Sequence, residues 1–137
     1  MTELVRRAAA TRLTFAKYGS LPFSWNNRAT CLHAARFHLR RMGHRPPPIP
    51  DFRSALGAQR ALVKAGFSTI TDLLDSLLPR IAPAEMIVGD IAVLPGDDGF
   101  DSIVISSGSK LVGYHGDDAS GIKPLLTFQP PSAAWRA

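Results

Sequence analysis

The side chain best suited to covalent chemistry is the single cysteine, Cys31. It follows the apolar-polar loop Ser20-Leu-Pro-Phe-Ser-Trp-Asn-Asn27 and stands at the expected start of a helix. A helix N-terminus favours the thiolate, the form that attacks an electrophilic carbon. Such a nucleophile needs a base within hydrogen-bond reach, most often an imidazole. Of the four histidines, His33 and His38 share one helix but are five residues apart, so they do not form an i, i+4 metal pair. His44 follows a helix end, where a cation is favourable without further role. His115, in Tyr114-His-Gly-Asp-Asp118, is the one downstream imidazole that could serve Cys31. The plainer reading makes Cys31 a small buried residue of an amphipathic helix and His115 a solvated turn residue.

Other ligand chemistry finds little support. One cysteine excludes an internal disulfide and any zinc site built on paired thiolates. The acidic turns Asp97-Asp-Gly-Phe-Asp101 and Gly116-Asp-Asp118 lack the alternating ligands and terminal Glu of a calcium loop, and Asp-Gly turn chemistry accounts for them. Gly108-Ser-Lys110 lacks the spacing of a phosphate loop. No cofactor and no metal are expected.

The elements that must position these residues change character along the chain. Thr2 caps a predicted helix with Leu4, Ala8, Thr11 and Phe15 on its inner face, ended by Gly19. A second helix is predicted from Thr30 to Met42, with Leu32, Ala35, Leu39 and Met42 inward. The run His44-Arg-Pro-Pro-Pro-Ile-Pro50 is a stiff extended connector. Ser54 to Ala65 makes a third helix, and Ser68 or Thr69 opens a short fourth one closed by Pro79. Beyond it the period shortens to that of strands, at 86–94, 100–106, 110–115 and 122–128, with Pro124 expected at an edge or a strand start. Helices first and strands second predict an α+β fold: N-terminal helices packed on a C-terminal four-stranded antiparallel meander. One domain over 1–137 is expected, a helical layer to residue 80 and a sheet from 81. Trp25, Leu32, Ala35, Leu39, Leu73, Leu77, Ile91, Val93, Ile103 and Ile105 are its predicted core.

The composition, 45% hydrophobic and 20% charged in 137 residues, is that of a globular chain. No apolar run reaches the ~18 residues of a membrane span, and the N-terminus lacks the apolar stretch of a secretory signal. The net charge of +5 combines opposed halves. Residues 1–66 hold twelve Lys/Arg against Glu3 and Asp51, whereas residues 67–137 hold four against nine acids. Such asymmetry suits contact between protein subunits, a homo-oligomer included. Nucleic acid ranks behind, since no binding motif accompanies the charge.

Pro22-Phe-Ser-Trp25 before a helix that opens near a cysteine, and then Val88-Gly-Asp-Ile-Ala-Val-Leu94 opening a meander, resembles the NlpC-type papain-like cysteine peptidases. The chain is more similar still to a small branch encoded among phage tail genes, which Ser54-Ala-Leu-Gly-Ala-Gln-Arg-Ala-Leu62 and Ala134-Trp-Arg136 also resemble. In the broader family an Asp-Cys pair at the helix start supplies the nucleophile, and a His opening the strand after Gly-Asp supplies the base. Aligned on Trp25 and on Leu32-His-Ala-Ala35, this chain has Ala29-Thr30 where the family has Asp-Cys, and Ser102 where it has His. Cys31 falls one residue late, about 100° around the helix. The resemblance therefore implies a papain-like fold with degenerate catalytic positions. It implies a structural component of a phage tail tip or baseplate, packed between other tail proteins, assembled in the host cytoplasm and located in the virion. Two alternatives remain open. One is an active cysteine peptidase or amidase acting on peptidoglycan through Cys31 and His115. The other is a basic accessory protein that binds DNA or the tape-measure protein.

Overall fold

A computed structural model describes residues 2–96, 100–115, 118–125 and 130–137, with the backbone alone considered at 115, 118 and 119. Four helices come first: α1 (Glu3–Tyr18), α2 (Cys31–Arg41), α3 (Ala55–Lys64) and α4 (Ile70–Leu77). Each is opened by a hydroxyl residue (Thr2, Thr30, Ser54, Thr69) whose side-chain oxygen accepts the N–H three residues on. Strands follow: β1 (Arg80–Ile81), β2 (Ile91–Leu94), β3 (Ser102–Ser106), β4 (Leu111–His115), β5 (Asp118–Pro124) and β6 (Ala133–Trp135). They form one antiparallel sheet in the order β1-β6-β2-β3-β4-β5. No helix among the described residues is long and apolar enough to cross a membrane.

The α+β class is the expected one, and the sheet has two strands more than the predicted meander. β1 and β6 are two and three residues long, too short to show a period of two. β6 enters between β1 and β2, pairing Trp135 with both Arg80 and Ile91. The strand predicted at 122–128 has its counterpart in β5 at 118–124, and residues 126–129 lie outside the described set. Pro124 ends β5 at the sheet edge, where its missing N–H leaves no ladder bond unmade.

Alternation along the strands sorts side chains onto two faces. Ile91, Val93, Ile103, Ile105, Ala133 and Trp135 form the core with Cys31, Ala35 and Leu39 of α2, Ala58 and Leu62 of α3, and Leu74 of α4. Ala92, Leu94, Val104 and Ala134 lie on the opposite face beneath Ile81, Met86, Leu111 and Leu125. Among the predicted core residues, Ala35, Leu39, Ile91, Val93, Ile103 and Ile105 are buried, whereas Trp25, Leu32, Leu73 and Leu77 are only partly so. The enclosed positions are one residue on, Leu74 of α4 and Leu78 just beyond its end.

The face of α1 also differs from the predicted one. Leu4 is 57% exposed, and the buried stripe is Arg7, Ala10, Thr11, Thr14 and Tyr18. Polar contacts set this rotation. Arg7 donates through Nε to the Val88 carbonyl (2.8 Å), through Nη1 to the main-chain oxygen of Ala137 (2.6 Å), and through Nη2 to the Asp90 carboxylate. Asp90, fully buried, also accepts from Ile87 N–H at 2.9 Å and pairs with Arg136 at 3.0 Å. A periodicity that counts apolar residues cannot foresee a helix turned inward by an arginine.

Candidate functional site

The loop after α1 doubles back as a short hairpin. Ser24 N–H donates to the Ala29 carbonyl at 2.9 Å, and Ala29 N–H returns a bond to Ser24 at 3.3 Å. Arg28 closes the turn at φ 54°, left-handed backbone that costs a β-carbon-bearing residue about 1 kcal/mol or more. The hairpin delivers Ala29, fully buried, and then Thr30, 1% exposed, to the start of α2. Thr30 caps the helix, and its Oγ1 lies 2.8 Å from His33 Nδ1. The hydroxyl thus has an imidazole partner, a contact missed on the sequence, although capping residue and third helical position are neighbours by geometry.

That imidazole is a weak base. Burial, with Arg28 nearby, pushes His33 down to about 4, so it is neutral near pH 7. Thr30 Oγ1 already accepts the His33 main-chain N–H at 3.4 Å, so its own proton is the one available to Nδ1, and on that ground the ring proton is assigned to Nε2.

Cys31 is the first residue of α2 and is 8% exposed. It packs into the helix–sheet core and neighbours the Tyr114 phenol, which burial, Tyr18 and Cys31 together hold up to about 12. Tyr114 donates to the Leu21 carbonyl at 2.7 Å. Ser102 opens β3, opposite Leu94, and its hydroxyl donates to the Tyr114 carbonyl at 3.4 Å. His115 ends β4, where its backbone pairs with Asp118, and its side chain lies outside what is described. An aromatic wall flanks the start of α2. Trp25 meets Phe23, Phe52 and Phe100 at ring-centroid distances of 5.1, 6.0 and 5.7 Å, and Phe23 meets Tyr114 at 5.3 Å.

The Gly-Asp pair is structural. Gly89 has φ +90°, and a β-carbon there would lie 3.0 Å from Met42 Cε and 3.2 Å from Thr11 Oγ1. Its carbonyl is 2.8 Å from His38 Nε2, and the other ring nitrogen of His38 is 2.9 Å from Thr14 Oγ1. His38 is thus a fully buried tie between α1, α2 and the segment before β2.

Cavities adjoin these elements. An apolar one of about 170 Å³ lies among α2, the prolines at 46–50, α3 and α4. A polar one of about 340 Å³ is bordered by Trp25, Arg28, His33, Asp51, Phe52 and Arg53. Among the described residues no three His, Cys, Asp or Glu are grouped to share a metal. No curated protein matches the chain. A family model, Domain of unknown function (DUF6950), matches residues 5–137, and the chain belongs to that family.

Proposed function

We propose that this protein is a structural component of a phage tail tip or baseplate, an NlpC-like scaffold that acts by packing against other tail proteins. The observation that carries the non-catalytic part is the state of Thr30. The residue aligned with the family nucleophile is 1% exposed, and its hydroxyl is committed to capping α2 and to a neutral imidazole. A hydroxyl attacks only when a base removes its proton, and an imidazole held near 4 removes protons poorly at neutral pH. Ser102, aligned with the family base, offers no titratable group.

The contact part is supported by the surface. Arg12, Arg40, Arg41, Arg45, Arg53, Arg60 and Lys64 are exposed and make no ion pair among the described residues. Leu4, Val5 and Leu13 of α1 and Leu56 and Val63 of α3 are each more than half exposed. Arginine-rich surface interspersed with apolar side chains is the composition of protein interfaces. The tail location rests on the resemblance of the sequence to the tail-gene branch.

Two measurements test the proposal. Quantitative mass spectrometry of purified particles from a phage encoding the chain is expected to find it in stoichiometric amounts; its absence from the particle overturns the tail reading. Incubation with peptidoglycan stem peptides is expected to yield no cleavage. Cleavage by the wild type that vanishes in Cys31→Ala replaces the scaffold reading with the peptidase one.

A further inference from the structure

The polar cavity beside the 24–29 hairpin has a feature that the scaffold reading does not use. His33 is 7% exposed, its Nδ1 is occupied by Thr30, and its Nε2 is the buried side-chain atom without a hydrogen-bond partner among the described residues. An unmet buried N–H costs about 1–3 kcal/mol, and folded proteins normally resolve such a group with a ligand or water. The ring borders the cavity. Since Nδ1 is the acceptor for Thr30, Nε2 carries the proton and needs an acceptor opposite it.

The remaining lining narrows the acceptor's chemistry. Arg28 spends one N–H on Asp51 at 3.0 Å and two long bonds on the Ile49 carbonyl. Arg53 is exposed with no ion pair among the described residues. Asn26 accepts from the Ser24 hydroxyl at 2.8 Å, which leaves its amide N–H groups to donate. Donors therefore dominate, and two of them carry charge. The Asp51 carboxylate at the rim opposes a dianion more strongly than a monoanion. Trp25 and Phe52 give the cavity an apolar wall, and Phe52 also packs at 5.7 Å from the His33 ring. About 340 Å³ is at the lower end of small-ligand pockets, which run ~300–1,000 Å³. Nε2 itself is covered in this conformation, so an acceptor in the cavity reaches it only when a neighbouring side chain turns aside, a motion of nanoseconds for exposed groups.

We propose that this cavity binds a carboxylate on a short apolar stem, one oxygen accepting from His33 Nε2 and the charge facing Arg28 and Arg53. The carboxylate belongs either to a free small acid or to an acidic side chain of another protein, and the stem lies against Trp25 and Phe52.

The test is an NMR titration of the full chain carrying ¹⁵N-labelled histidine, with the His33 signals assigned by their loss in His33→Phe. Butyrate and the blocked tripeptide N-acetyl-Gly-Glu-Gly-amide, both monoanions, are the two probes. A saturable shift of His33 Nε2 is expected, with affinity about tenfold weaker in Arg53→Gln, the loss that one charged hydrogen bond represents. A shift with butyrate alone assigns the site to small acids, and one with the tripeptide alone assigns it to protein side chains. Absence of any shift up to the solubility limit overturns the proposal. So does a shift that Arg53→Gln leaves unchanged, or inorganic phosphate binding tighter than both probes. Arg53→Gln alters only an exposed side chain, so the comparison survives even where His33→Phe fails to fold. Particle composition and stem-peptide cleavage are read separately, so this site stands or falls apart from the scaffold reading.

Discussion

His33 and His38 lie on the same helix, and both are held neutral by burial, at about 4 against an ordinary 6.5. The consequence for stability has a definite sign. As pH falls from 6.5 the unfolded chain takes up these protons first, and the folded chain follows only near 4. Stability is therefore full above about 6.5 and is lost progressively toward pH 4, on the order of 3 kcal/mol for the enclosed His38 and less for His33, which solvent at the cavity edge screens. Urea titrations at stepped pH are expected to show this slope, and His38→Gln, whose amide can still donate to Gly89, to reduce it by half or more. An unchanged slope in the variant contradicts the assignment. None of this was visible at the level of single residues in the sequence. His33 and His38 were recognisable as helical and unsuited to pairing on a metal, but burial is a property of what packs on the other side. The same holds for Asp90 and Arg7, whose contact spans 83 positions.

At the scale of elements, the helices were readable because each carries its own punctuation. Thr2, Thr30, Ser54 and Thr69 cap as expected, and Gly19, Gly43, Gly66 and Pro79 mark the stops. The rotation of α1 was not readable, since an inward-facing Arg7 is set by a partner on a distant segment. Where α1 meets the sheet, another detail escapes periodicity. A β-carbon built on Gly121 of β5 would lie 2.0 Å from the Gly19 carbonyl oxygen, at the end of α1. The close approach lets Lys123 donate to that same carbonyl at 3.2 Å. Because the obstacle is backbone, it cannot swing aside. Gly121→Ala is expected to destabilise by at least ~1–3 kcal/mol, as overpacking does, read as a fall in the denaturation midpoint. A midpoint equal to wild type shows that α1 and β5 separate freely.

For the molecule as a whole, β6 decides whether there is one sheet or two fragments. Trp135 is fully buried, pairs on one side with Arg80 and on the other with Ile91, and donates through its indole to Asp75 at 2.9 Å. A chain ended after Pro131 loses the strand that joins β1 to β2, and with it the Arg136 partner of Asp90 and the Ala137 contact of Arg7. Circular dichroism of that truncated chain on heating is expected to show helix without a cooperative transition; a sigmoidal melt like that of the intact chain refutes the role given to β6. The overall class was legible because helices and strands are segregated along the chain. The closing strand was not, since Ala133-Ala-Trp135 is too short to declare itself and its meaning lies in the gap it fills.

That gap bears on the order of folding. β1 and β2 each leave an edge toward β6, and both stay open until Ala133–Trp135 docks between them. Arg7 completes its contacts only when an oxygen 130 positions away has arrived. Edges of that kind invite pairing with a neighbouring polypeptide. Partly folded chains at high concentration are therefore expected to aggregate through this slot before the short strand fills it.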